Sequence, residues 1–198
     1  ATFNGLNAFS FDENDTLDST TSITSGTYSG SFNVFYVASR TTAAGGTILT
    51  ERATNLVASS MFGRVGGVNY ISSDGLNIPS NHIINDTTYE ALSSAGGVLT
   101  HQHLAGARDN FWLNGLSQSV TAGIASSITG AAGLRIGARD AAVGFHWSGL
   151  IMEVVVTLNS LTTADRQRME GYLAWKWRLQ NTLVATHPYR NRPPLIGV

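Results

Sequence analysis

The chain has 198 residues, 42% hydrophobic and 13% charged, with 12 basic and 13 acidic side chains, a formal net charge of −1 and no cysteine. Near-neutral charge and a single lysine, Lys176, exclude a general nucleic-acid binder, which needs many phosphate-neutralising cations. No apolar run approaches the roughly 20 residues that span a bilayer, and the missing cysteines exclude disulfide scaffolds, thiol catalysis and thiolate metal sites. No signal peptide opens the chain, and its start at Ala1 rather than Met marks it as processed or part of something longer.

Residues 1–160 read as strands separated by small polar loops. Ser31–Arg40 is β-branched and aromatic, which suits a buried pleated surface. Thr47–Arg52 follows as a short strand. Ser60–Val65 and Val68–Ser72 flank Gly66-Gly67, a pair that tolerates a tight hairpin. Phe111–Leu113 and Leu116–Val120 flank Asn114-Gly115, the strongest short hairpin signal there is. Leu134–Ala138 is another strand. Along Leu150–Leu158, alternation predicts one face of Leu150, Met152, Val154, Val156 and Leu158, with Ile151, Glu153, Val155 and Thr157 opposite. Short strands joined by glycine turns predict an all-β, two-sheet antiparallel sandwich.

The texture changes after Asn159. Thr162 is placed to cap a helix, with Asp165 three residues on. From Thr163 to about Leu179, helical spacing puts Met169, Tyr172, Leu173, Lys176 and Trp177 on one stripe, the lysine stem lying along it. His187-Pro188-Tyr189 and Pro193-Pro194 predict an extended tail wrapping the surface. The whole is one domain, 1–198: sandwich strands over 1–160, helix over 161–180, tail over 181–198.

Phe145–Val156, the L-T-x-x-D-R-Q-x-x-E-G-Y-L-A-x-K-W stretch over Leu161–Trp177 and the His187-Pro188-Tyr189 tail together resemble the end of concanavalin A-like, laminin-G-type jelly rolls. Phe3–Asp12 resembles the opening strand of that fold, and Phe111–Gly115 its x-W-x-N-G hairpin. Only residues 145–189 are specific. Such domains occur in bacteriophage virion proteins and in bacterial surface or secreted proteins. The resemblance implies a jelly-roll sandwich, often binding carbohydrate or protein, without implying a particular ligand.

Candidate chemistry is sparse. Glucanases related to this fold use paired acids alternating along a strand, and no such pair is found. The close acids Asp12, Glu13, Asp15 and Asp18 fall in a Ser/Thr-rich turn, taken as a solvated loop, with weak calcium binding as the lesser alternative. Glu153, alone on an apolar strand, suggests a buried general acid or, preferably, an ion pair or cap ordering the sandwich beside the helix. His101 and His103 share one side of a strand, where two imidazoles could ligate zinc or nickel. No third ligand has matching spacing, so an incidental pair on a half-exposed strand is preferred. Gly63–Gly67 lacks the ending of a phosphate loop. Trp175 and Trp177 read as core. Tyr70, Trp112 and Trp147 are aromatic candidates for stacking on a sugar, each weighed against core or hairpin packing.

The expectation is a non-enzymatic virion component serving capsid decoration, a head or tail fibre, or host attachment. The alternative is a carbohydrate-binding adhesin of a bacterial surface or secreted protein, and a glycoside hydrolase comes last. The expected carbohydrate contacts are Tyr70, His101, His103, Trp112 and Trp147, with no catalytic residue, resident metal or cofactor. The expected partners are virion proteins or surface glycans in a homo-oligomer such as a trimer, with no nucleic acid and no membrane insertion.

Overall fold

In the computed structural model, Phe32–Arg40 is a nine-residue strand buried at every position. A strand that reads as continuously hydrophobic is buried on both faces, and here the two faces feed two cores. Phe32, Val34, Tyr36 and Ala38 enter one cluster; Phe35 and Val37 enter the other. The structure describes the backbone of residues 1–12, 15–19, 26–28, 30–41, 46–52, 58–65, 68–72, 83–84, 92, 94–105, 107, 109–121, 128–130, 133–140 and 144–195. Side chains are described for these except 26–28, 46–47, 49–52, 58–65, 68–72, 83–84, 120–121, 128–130, 139–140 and 144–145.

Among the described residues, a six-stranded sheet runs in the order Leu116–Ser117, Asn110–Leu113, Gly97–His103, Phe32–Arg40, Gly149–Thr157, Phe9–Phe11, antiparallel throughout. A seven-stranded sheet runs Val120–Thr121, Ile83–Ile84, Val68–Ser72, Ala58–Val65, Gly46–Arg52, Leu134–Ile136, Leu17–Asp18, again antiparallel. Ile48, Leu134 and Ile136 of the second sheet pack with Phe32, Tyr36, Leu99, Phe111 and Ile151 of the first. The two sheets therefore form a sandwich whose chain crosses between layers. The opening segment differs from the expected single strand. Thr2–Phe3 and Leu6–Asn7 form a small hairpin before Phe9–Phe11 joins the sheet.

Strict alternation fails in Gly149–Thr157. Ile151 pairs with Ala38 and Glu153 with Val37, so Met152 is an extra residue. A bulge of this kind puts two successive side chains toward one side. Ile151, Val154 and Val156 face the sandwich core, whereas Leu150, Met152 and Val155 face the second core and Glu153 reaches the helix.

That second core lies under a helix over Thr163–Lys176. Thr162 Oγ1 accepts the Asp165 amide at 3.2 Å, the expected cap. The helix ends in a Schellman arrangement: the Leu179 amide donates to the Ala174 carbonyl at 2.7 Å and the Arg178 amide to that of Trp175. Arg178 takes the left-handed position at φ 58°. Asn4 of the N-terminal hairpin donates from Nδ2 to the Trp177 carbonyl at 2.9 Å, tying the chain's start to this helix end.

The buried stripe is rotated from the expected one. Arg166, Glu170, Leu173, Ala174 and Trp177 face the sheet, while Tyr172 and Lys176 are exposed. A charged pair at i and i+4 occupies a position the hydropathy pattern assigns to solvent, because Glu170 finds partners on the sheet below. The tail is also not extended. After a 3₁₀ turn at Gln180–Thr182 it folds back in turns, burying Leu183 and His187. The Val184 amide donates to the carbonyl of Asn114, inside the Asn-Gly hairpin. Gly115 takes φ 80° there, and a Cβ on it would meet His187 Cδ2 at 2.5 Å.

Candidate functional site

The five residues singled out for carbohydrate are not brought together. Tyr70 lies on Val68–Ser72 of the seven-stranded sheet, opposite Gly63 and Ile83, and its side chain is outside the described residues. Trp147 is 1% exposed in the sandwich core. His101 and His103 are 0% exposed. Trp112, on the neighbouring strand, is half-buried on the helix side, with the Arg166 guanidinium 4.0 Å from its ring centroid. Neither the histidines nor Trp147 present a ring to solvent. The strand expected to be half-exposed is instead covered on both faces, by the opposing sheet and by the helix.

The histidines form a buried cluster that their spacing alone does not announce. His101 Nε2 lies 2.8 Å from Asp109 Oδ2 and His103 Nδ1 lies 2.9 Å from Asp109 Oδ1. Burial alone would raise the Asp109 pKa; the hydrogen bonds and charges of His101 and His103 outweigh it and hold the carboxyl well below the usual carboxylate range. An ionised carboxylate only accepts, so both bonding ring nitrogens donate. The other two, His101 Nδ1 and His103 Nε2, are buried with no hydrogen-bond partner among the described residues. Phe32 fills the space beside them, stacked on His103 at 4.8 Å and edge-on to His101 at 5.5 Å. Antiparallel pairing brings the carboxylate here, because Asp109 immediately precedes Asn110–Leu113, which returns alongside Gly97–His103.

The opposite face of the same strand carries a second buried cluster. Glu170, 0% exposed, accepts from Thr100 Oγ1 at 2.8 Å, from Arg166 Nη1 at 2.6 Å and from His187 Nε2 at 3.2 Å. The Tyr189 amide donates to His187 Nδ1 at 3.3 Å, which fixes the proton on Nε2. One carboxylate thus joins sheet, helix and tail.

Among the described residues, Glu153, Asp18 and Asp15 are also engaged. Glu153 accepts from Lys176 Nζ at 2.8 Å and Trp177 Nε1 at 2.7 Å, the bracing role preferred for it. The Glu153 hydrogen bond raises the Lys176 pKa against a small burial penalty. Asp18 leaves the N-terminal acidic cluster to receive Arg135 Nε and Nη2, both at 2.6 Å, and Asp15 Oδ2 accepts the Asp12 amide. Glu13 lies outside the described residues. Among the described residues no group of three or more His, Asp or Glu is placed to hold a metal.

No protein-family model matches the chain, and no curated protein matches it by sequence. Solved structures do match. The receptor binding domain of botulinum neurotoxin D aligns with a TM-score of 0.58 at 14% identity, over 84% of this chain and 43% of that one. A Trypanosoma rangeli sialidase mutant displaying trans-sialidase activity aligns at 0.52 and 8% identity, over 75% and 24%. The extracellular region of zebrafish Gpr126/Adgrg6 aligns at 0.51 and 11% identity, over 78% and 22%. The fold is a jelly-roll sandwich. At these identities the likeness is one of fold alone, and the chain spans under a quarter of the length of the latter two structures.

Proposed function

We propose that the chain is a non-enzymatic, lectin-like module of a bacteriophage virion that serves particle assembly or attachment to the host surface. The observation that carries this reading is the Glu170 cluster, where a buried carboxylate locks sheet, helix and tail into one body. A carboxylate held by three donors and closed off from solvent is poorly disposed to exchange protons with a substrate, and it gives the rigid frame a lattice or attachment module needs. Phage origin rests on the resemblance of residues 145–189 to lectin-like domains that occur in virion proteins and also in bacterial surface or secreted proteins.

Native mass spectrometry and electron microscopy of the purified chain across a concentration series provide the test. Closed symmetric oligomers, a trimer among them, support the assembly role. Strict monomers that also bind no glycan contradict both roles. Release of reducing sugar from β-glucans, lost on Glu153→Gln, would replace the proposal with a hydrolase.

A further inference from the structure

Away from the braced interior, the C-terminal corner holds a concave pocket of about 340 Å³ lined by Arg168, Tyr189, Arg192, Pro193 and Leu195. Its charge is a local surplus. Of the six basic residues after position 150, Arg166 is taken by Glu170, Lys176 by Glu153, and Arg178 ends the helix beside Asn4 of the N-terminal hairpin. Arg190 donates to the Leu183 carbonyl. Arg168 gives one N–H to Asp165 Oδ1 at 3.2 Å and keeps its other donors. Arg192 makes no hydrogen bond or ion pair among the described residues. Among the described residues, Asp165 is the acid beside the pocket, and both of its oxygens are engaged, by Arg168 and by Thr162.

The aromatic wall is fixed before anything arrives. Tyr189 sits against Gly171, where an added Cβ would fall 2.5 Å from Tyr189 Cβ and 2.9 Å from its Cδ2. Its carbonyl accepts Trp175 Nε1 at 2.8 Å and its amide donates to His187. Its hydroxyl makes no hydrogen bond among the described residues. A preformed wall spares a ligand the cost of ordering it.

The geometry points to a binding site for a carboxylate-bearing sugar ring. Two guanidinium groups suit a carboxylate, through charge-assisted and bidentate hydrogen bonds. The ring of Tyr189, with Pro193 and Leu195, suits the apolar face of a pyranose, and the free hydroxyl suits a sugar hydroxyl. The volume lies near the lower end of the range of about 300–1,000 Å³ typical of small-ligand pockets. That favours a single acidic ring over an extended acidic peptide. The site rests on, and sharpens, the attachment role proposed above.

The test uses the full chain with three probes: a glucuronate-terminated oligosaccharide, its glucose-terminated counterpart and an acidic hexapeptide, followed by saturation-transfer NMR and calorimetry. The glucuronate probe is expected to bind at least about tenfold more tightly than the neutral one, the size of one charge-assisted contact. Arg192→Ala and Arg168→Ala should each weaken it about tenfold, Tyr189→Phe by less, and added salt should weaken it further. Arg192→Ala should leave the melting temperature unchanged, because the residue is exposed. Equal binding of the neutral sugar, preference for the peptide, indifference to Arg192→Ala, or no glucuronate binding would each overturn the site. Neutral-glycan binding that ignores Arg192→Ala would sink the site while leaving attachment intact. Loss of all glycan binding in a chain that still assembles would leave only the assembly role.

Discussion

The strand Gly97–His103 has a buried ionic cluster on each face, and the two are built differently. Toward the helix, Glu170 is answered by a hydroxyl, a guanidinium and an imidazole, and the imidazole's second nitrogen is answered by the Tyr189 amide. Toward the opposing sheet, Asp109 is answered by two imidazoles whose far nitrogens are left without partners among the described residues. The first cluster closes on itself and acts as a brace. The second is an ordered but incompletely satisfied group inside the sandwich, and buried polar networks are costly when incomplete.

The largest break should come from Glu170→Ala. It strands the Arg166 guanidinium, 6% exposed, without a counter-charge, and removing one partner of a buried pair costs about 3–5 kcal/mol. Chemical denaturation should show a fall of that order.

Asp109→Ala should cost somewhat less, about 1–3 kcal/mol, since it orphans two imidazole donors rather than a fixed cation. The same residue sets an acid limb. A carboxyl whose pKa is lowered on folding contributes stability in full above its unfolded value of about 3.9 and loses it as the pH falls toward the folded value. Wild-type stability should therefore decline below about pH 4, and Asp109→Asn should flatten that decline in a pH series of melts.

Gly171→Ala tests how closely the tail is seated. The new methyl meets Tyr189 at 2.5 Å, and overpacking of this kind costs about 1–3 kcal/mol. The melting temperature should drop, and proteolysis should cut first in the tail. Thr162→Ala removes the helix cap and should cost about 1 kcal/mol, the smallest of these effects, without altering either cluster.

The parts legible in sequence are those set by local chemistry. Asn114 and Gly115, at φ 52° and 80°, make the hairpin turn that an Asn-Gly pair is suited to make. Thr162 caps the helix because its hydroxyl is in reach of an amide three residues on. What stayed hidden depends on tertiary partners. Asp109 meets the histidines only through strand pairing; an acid just before the strand returning past H-x-H was the available signal. Arg166 and Glu170 stand at i and i+4 on the helix, but nothing local says that Thr100 and His187 wait beneath them. The Met152 bulge left no trace in an apolar run where every alternation looks alike. Arg178 ends the helix in a conformation that sequence rules reserve for glycine or asparagine.

Central to this account is that the helix and tail are part of the sandwich, locked to it through Glu170, and not an appendage. Native-state hydrogen exchange tests this most directly. The slowest amides of Thr163–Lys176 should open with the same free energy as those of Phe32–Arg40, in a single global event. Helix amides that exchange through a cheaper opening while Phe32–Arg40 stays protected would contradict it.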